Sequence, residues 1–422
     1  MTLLAELLST VFERRYRGQA TRATDGRPLT ELAAALVGSA GETSGLALAG
    51  EILSRFADMD DDEKLAFFRN IATTMNIDPV AVRTTLDAYE HTPSKASYRA
   101  FAEAAEPARQ EFVRRLNSVQ GATGALVQMR ADLLRLGRKE PELQALDLDF
   151  RHLFASWFNR GFLVLRPINW ESPAHILDKI IAYEAVHAID SWEDLRRRLQ
   201  PTDRRCFAFF HPSMPDEPLI FVEVALTKGI PGSIQTLLAE DREAVPSEDA
   251  DTATFYSISN CQAGLASISF GNSLIKQVAA DLAAELSGLK TFVTLSPIPG
   301  LTKWLKTSEV EWLSDDAETM SDKTRALAAF YLLNAKSRGG LPYDPVARFH
   351  LGNGAVVHAV HSDADVSEKG RAQSGGAMVN YLYDLSKISQ NHENFVTTRD
   401  VVASADVKAL ADTVTLPTTE ER

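Results

Sequence analysis

The sequence predicts an α+β chain of more than one domain, all-α in its first part and mixed α/β thereafter. Three observations carry that reading. From about Leu29 to Leu153 apolar residues recur at helical spacing, as in Leu53, Phe56, Ala57 and again in Leu65, Phe68, Ile71, Ala72, Met75. Strand-like runs begin only near Trp157, and from there they alternate with helical ones. At 422 residues and 45% hydrophobic content, the chain is long enough for two or three domains with their own cores. The expected division is a helical domain at 1–157 and a mixed domain at 158–422.

The helical part carries its own start signals. DMDDDE supplies acidic caps, and Asp78 is an N-cap with Pro79 as the first helical residue. Further helical faces follow at Phe112, Val113, Leu116, Val119 and at Leu126, Met129, Leu133, Leu136. In the second part GFLVLRPI reads as a strand. A helix follows with Ser172 as N-cap and Pro173 in first position, then another around Trp192 to Leu199. RCFAFFHP and PLIFVEVALTK are antiparallel neighbours across the turn SMPDE. ATFYSIS is a strand, NSLIKQVAADLAAEL an amphipathic helix, and TFVTLS the next strand. Residues 301–336 read as helical, and ARFHLGNGAVVHAV as strand with a Gly/Asn turn. The acidic run LLAEDREAVPSEDAD is a solvated loop, and neither an internal repeat nor low complexity is visible.

Composition excludes several functions. A net charge of −13 argues against nucleic acid or an anionic membrane as partner, since phosphate backbones need clustered Lys and Arg. Cys206 and Cys261 are too few for a disulfide framework or a cysteine-based zinc site, and they fit a reducing cytoplasm. MTLLAELLSTVFERRYRG has no basic leading stretch or small-residue cleavage site, and Glu6 interrupts its apolar run. It reads as a first core helix, with an amphipathic transit peptide as the alternative. No window approaches 18 uninterrupted apolar residues, so no membrane span is expected.

Two stretches point to chemistry. TFVTLSPIPG is a strand halted by Pro297 and Pro299, which cannot donate to a ladder. Ser296, held before a proline, occupies the last extended position, as a polar cap or as a hydroxyl fixed at a sheet edge. NCQAGLASISFG lies between a strand and a helix, with Gly264, Gly271 and small residues Ala263, Ala266 and Ser267. Backbone amides and a helix N-terminus there suit a pyrophosphate, which is how an acidic protein can bind an anion. The loop matches neither the Walker pattern nor G-x-G-x-x-G. A strand, such a loop, a helix and a second strand resemble the coenzyme A-binding core of the GCN5-related N-acetyltransferase fold. In that fold the flanking strands splay apart, and Ser296 would close the second one.

FYSIS (255–259), GNSLIKQV (271–278), LSPIPGLTKWL (295–305), PVARFHLGNGA (345–355) and MVNYLYDL (378–385) together resemble the malonyl-CoA decarboxylase family. They recur in the family's order and at roughly its spacing, and with SPAHILDKI the resemblance covers the chain from about Leu29. It implies a helical domain, then an acetyltransferase-like catalytic domain converting malonyl-CoA to acetyl-CoA and carbon dioxide without metal or organic cofactor. It implies Ser296 and His350 as catalytic residues, with Ser257, Tyr383 and Lys179 as further substrate-binding groups. The coenzyme A loop falls on Ala266, Ser267, Ile268, Ser269, Phe270, Gly271 and Asn272. Some relatives carry glutamate where this chain has Ser269, so any role of that carboxylate is not shared. A homotetramer is also implied.

The chemistry fits that equipment. Losing carbon dioxide leaves a thioester enolate, so catalysis means stabilising an oxyanion and protonating carbon. The thioester is its own electron sink. His350 can donate the proton near neutral pH, and Ser296 can hydrogen-bond the thioester oxygen or the carboxylate. Taken singly, each residue has a plainer reading: His350 as a turn residue, Lys179 as a solvated helix residue, Tyr381 or Tyr383 as a core aromatic. His358, His361, Asp363 and Asp365 are metal ligands in type, but their spacing fits no familiar site and reads as a polar loop. A hydrolase would need a G-x-S-x-G elbow, which is missing. The competing functions are a coenzyme A-dependent acyltransferase and a non-catalytic acyl-CoA sensor.

Overall fold

The computed structural model describes residues 26–268, 274–308, 310 and 317–415. The first core helix expected within 1–18 lies outside them. The chain divides into two units between Phe150 and Arg151. Described helices α1 (Leu29–Gly38), α2 (Glu42–Asp58), α3 (Asp61–Thr74), α4 (Pro79–His91), α5 (Lys95–Ala105), α6 (Ala108–Leu116) and α7 (Ala122–Leu136) fill the first. Helix α8 (Pro141–Trp157) runs across the division. Start signals explain the breaks between them. Asp60 accepts from the Glu63 amide at 2.9 Å and Glu63 reaches back to the Asp60 amide at 3.0 Å, a reciprocal cap on α3. Asp78 accepts from the Val80 amide at 2.8 Å ahead of Pro79. Phe56 packs against Phe67 and Phe68 with ring centroids 5.7 and 5.4 Å apart, and Phe67 meets Phe112 at 6.3 Å. By contrast α4 and α5 bury no residue at all, and Val80 and Tyr98 stay exposed.

The second unit is built on a sheet. Its strands are β1 (Val164–Ile168), β2 (Arg204–His211), β3 (Met214–Thr227), β4 (Thr252–Asn260), β5 (Thr291–Thr294), β6 (Ser296–Pro297), β7 (Val356–His361) and β8 (Met378–Leu382). Their order is β1-β2-β3-β4-β5-β8-β6, with β7 on β8. All pairs are antiparallel except β4 with β5. Helices α9 (Ala174–Tyr183), α10 (Trp192–Leu199) and α11 (Ile234–Leu238) come before β4. After it come α12 (Leu274–Glu285), α13 (Leu301–Thr307), α14 (Ala317–Asn334), α15 (Pro345–Gly352), α16 (Glu368–Ser374), α17 (Ile388–Thr398) and α18 (Ala405–Asp412). Strand β3 is buried without a break from Pro218 to Leu226, with Glu223 as its one charged residue there, because both faces are covered. On one face Phe221 joins Ile176, Ile180 and Leu195 in one core cluster, and Ala225, four residues further along, joins Ile234, Leu237 and Leu295 in another.

One register decides where a site can form. β5 pairs β4 only from Thr252↔Thr291 to Phe255↔Thr294, closed by the Leu295 amide on the Phe255 carbonyl at 2.9 Å. Tyr256 to Asn260 then keep β3 alone as neighbour, and a bulge opposite Glu223/Val224 marks the parting. Parallel strands around a helix that separate in mid-course are the geometry the acetyltransferase-like resemblance implies. Among the described residues no helix is long and apolar enough to cross a membrane.

Two expectations need correction. The helix after Ser172 starts at Ala174 with Pro173 at the cap, and the Ser172 hydroxyl accepts from the Asn169 amide at 3.1 Å instead. ARFHLG is helix, not strand. Asp344 accepts from the Val346 and Ala347 amides, both at 2.9 Å, with Pro345 in first position, the same Asp-Pro signal that starts α4. The strand resumes only at Val356, after Gly354 turns the chain at φ +85°, where a Cβ would collide with the Ile388 carbonyl.

Candidate active site

Where β4 and β5 part, a cavity of ≈ 240 Å³ opens between Phe255, Tyr256 and Ile258 on one wall and Ser296, Val346, Phe349 and His350 on the other. No Lys, Arg, Asp or Glu is among its described lining residues. Leu295 breaks the strand, so Ser296 leaves β5 and pairs with Val379 of β8. Its side chain is 5% exposed. The Ser296 hydroxyl donates to Thr294 Oγ1 at 2.8 Å and lies 3.2 Å from His350 Nε2. His350 comes from the last turn of α15. Its Nδ1 is 2.8 Å from the Tyr383 hydroxyl, and Tyr383 is fixed by its amide on the Phe292 carbonyl at 2.8 Å. The ring stacks on Tyr381 with centroids 4.5 Å apart and planes at 22°, and Phe349 meets it edge-on at 5.1 Å. Burial lowers the His350 pKa to about 3, so near neutral pH it is an uncharged imidazole.

These positions can be set against known proteins. Residues 75–158 match the family model for the malonyl-CoA decarboxylase N-terminal domain, and residues 161–315 and 306–421 match that for the C-terminal domain. The chain belongs to the malonyl-CoA decarboxylase family. It is similar to a solved malonyl-CoA decarboxylase from Rhodopseudomonas palustris at 47% identity and TM-score 0.86, covering 90% of this chain and 98% of that one. One from Cupriavidus metallidurans is 35% identical with TM-score 0.72, again over 90% and 98%. Mitochondrial malonyl-CoA decarboxylase of Anser anser anser is 35% identical over 349 residues, 71% of this chain and 69% of that relative.

The other residues tied to the family's motifs sit around this cavity, not in it. Ser257 is buried and donates to Glu184 Oε2 at 2.7 Å. Glu184 Oε1 accepts from the Val186 and His187 amides at 2.7 and 2.8 Å, so this carboxylate ties the cavity-lining Val186 to β4. Lys179 donates to Glu217 at 2.5 Å and to the Asp216 carbonyl at 2.9 Å. Glu217 in turn accepts from Gln262 at 3.5 Å, at the entrance of the loop expected to hold coenzyme A. In that loop Ala266 closes a short helical turn and Ser267 takes φ +63°, followed by Ile268; Ser269, Phe270, Gly271 and Asn272 lie outside the described residues. Just beyond, on α12, burial first and then the Arg160 charge lower the Lys276 pKa.

Sequence reasoning missed Thr294, Tyr381's ring stack and Glu184. For the first two the signal was present: Thr294 and Ser296, like Tyr381 and Tyr383, are two residues apart and so share a strand face. His361 pairs with Asn380 at 2.5 Å, and Asp365 accepts from Gln235 at 3.2 Å. Among the described residues no group of three or more His, Cys, Asp or Glu could hold a metal ion.

Proposed function

We propose that this chain decarboxylates malonyl-CoA to acetyl-CoA and carbon dioxide, with Ser296 and His350 acting on the acyl end. One observation carries the reading. A hydroxyl and a neutral imidazole, 3.2 Å apart, face a cavity with no Lys, Arg, Asp or Glu among its described lining residues, at the parting of β4 and β5. A malonyl carboxylate entering it loses water and meets no counter-charge, which favours departure as neutral carbon dioxide. The electron pair left behind spreads into the thioester carbonyl, so no metal or organic cofactor is called for. A neutral imidazole N–H is a weak acid, well matched to an enolate carbon, which is a strong base. The same donor can stabilise the enolate oxygen before the proton moves.

Ala266 to Asn272 hold the coenzyme A phosphates through backbone amides, with Arg160 and Lys276 supplying nearby positive charge. Lys179 supports this through Glu217 and Gln262, and Ser257 supports the cavity wall through Glu184. Residues 158–422 form the catalytic domain. Residues 1–157 form a helical domain for packing and self-association into a homotetramer, for which the unburied faces of α4 and α5 offer surface. Free thiols at Cys206 and Cys261 fit a cytoplasmic enzyme, and a malonyl-CoA substrate fits a role in fatty-acid metabolism.

Incubating the chain with malonyl-CoA, with and without an acceptor amine, tests the reading. Carbon dioxide and acetyl-CoA should form in both. Acyl transfer to the amine without carbon dioxide release would make it an acyltransferase, and binding without turnover would make it an acyl-CoA sensor.

A further inference from the structure

We propose that Thr294 is a positioning residue which, with Tyr383, sets the direction of the hydrogen bonds through Ser296 and His350 and so fixes the proton of His350 on Nε2. This rests on the reading of Ser296 and His350 as the reacting pair. Four side chains stand in line: Thr294, Ser296, His350, Tyr383. Thr294 is fully buried, and its Oγ1 accepts from the Tyr381 amide at 3.1 Å and from the Ser296 hydroxyl at 2.8 Å. A serine hydroxyl has one proton. With that proton on Thr294, the 3.2 Å contact between Ser296 and Nε2 has to be donated by the ring.

The far end gives the same answer independently. Tyr383 is 1% exposed, and Nδ1 of His350, at 2.8 Å, is the acceptor its hydroxyl has among the described residues. A buried phenol O–H donates to the acceptor it has, and a ring nitrogen that accepts carries no proton. Both ends therefore select the Nε2–H tautomer, and the Tyr381 stack holds the ring in that plane. The consequence is specific. In this arrangement Nε2 donates to the Ser296 oxygen and is not a base, so Ser296 is not activated as a nucleophile. Without the Thr294 oxygen, the Ser296 proton would turn to Nε2 and drive the ring to the opposite tautomer.

The test uses the full chain labelled with 15N-histidine, with His350 assigned by loss of its signals in His350→Gln. The wild type should show Nδ1 as the bare nitrogen and Nε2 as the protonated one. Thr294→Val should move the ring towards Nδ1–H and lower kcat for malonyl-CoA by roughly 10–100-fold, the scale of a small misplacement, with KM little changed. Thr294→Ser, which restores the acceptor, should recover both signals and turnover. A wild-type ring protonated on Nδ1 overturns the proposal, whether or not the valine variant folds. So does a folded valine variant with unchanged tautomer and kcat, or a folded serine variant that recovers neither. A wild type that releases no carbon dioxide overturns the functional reading instead, while the tautomer spectrum judges this one without reference to turnover.

Discussion

Two polar clusters are buried in the sheet-containing unit, and they are built on opposite plans. At the cavity, Thr294, Ser296, His350 and Tyr383 are joined by hydrogen bonds between uncharged groups. Behind Val186 the material is charge. Arg198 donates to the His187 and Ala188 carbonyls at 2.8 and 2.9 Å, to Asp194 at 3.0 Å and to Glu223 at 3.4 Å. Burial first, then the charge of Glu184, pushes the Glu223 carboxyl up to about 8 against the pull of Arg198. The difference teaches what each place is for. A guanidinium in the cavity would stabilise the bound carboxylate more than the transition state and raise the barrier. In this second cluster the guanidinium holds backbone carbonyls and carboxylates of the fold, and it binds nothing that must leave.

The largest effects are expected at the cavity. Ser296→Ala or His350→Ala should lower kcat by roughly 10²–10⁴-fold. The double variant should lose far less than the product of the two, because groups that act as a unit are non-additive. Losses that multiply would assign serine and histidine to separate steps. At the charged cluster, Arg198→Leu should cost about 3–5 kcal/mol of stability at pH 9, the price of a buried charge left alone. At pH 6 the cost should shrink, because Glu223 then carries a proton. Urea unfolding at the two pH values measures this, and an equal cost at both would show that Glu223 does not titrate as described.

The smallest effect separates the clusters by pH. His350 takes up a proton near its ordinary 6.5 when unfolded but only near 3 when folded, so stability falls as pH drops from about 6.5 towards 3. Glu223 has the opposite sign. Its folded pKa of about 8 lies above the ordinary 4.5, so its contribution is full below 4.5 and is lost as pH rises to about 8. His350→Gln should therefore flatten the acid limb of Tm against pH and leave the alkaline limb in place. An unchanged acid limb would place the titration elsewhere.

Much of this was legible in the sequence, for reasons that differ by residue. The helical first part and the β2–β3 pair were legible because spacing and turn residues act locally. Ser296 was legible because two prolines pin it at a strand end. His350 was placed in the wrong element, since ARFHLGNGAVVHAV alternates well enough to hide the Asp344-Pro345 start. The parting of β4 from β5 was available only through resemblance, because register is a property of the paired strands and not of either one. Glu184 was not legible at all: 73 residues separate it from Ser257, and nothing local marks a carboxylate that braces a loop.

The uncharged walls of the cavity have one more consequence, at the end of the reaction. A chamber that is a poor host for a carboxylate is a good host for a methyl group. Phe255, Ile258, Val346 and Phe349 welcome the acetyl end that remains, while the coenzyme A handle is the same before and after. Acetyl-CoA should therefore compete with malonyl-CoA, and added acetyl-CoA should slow turnover in a steady-state assay. On the proposed reading, the apolar lining that favours bond-breaking would also make turnover depend on the ratio of the two thioesters.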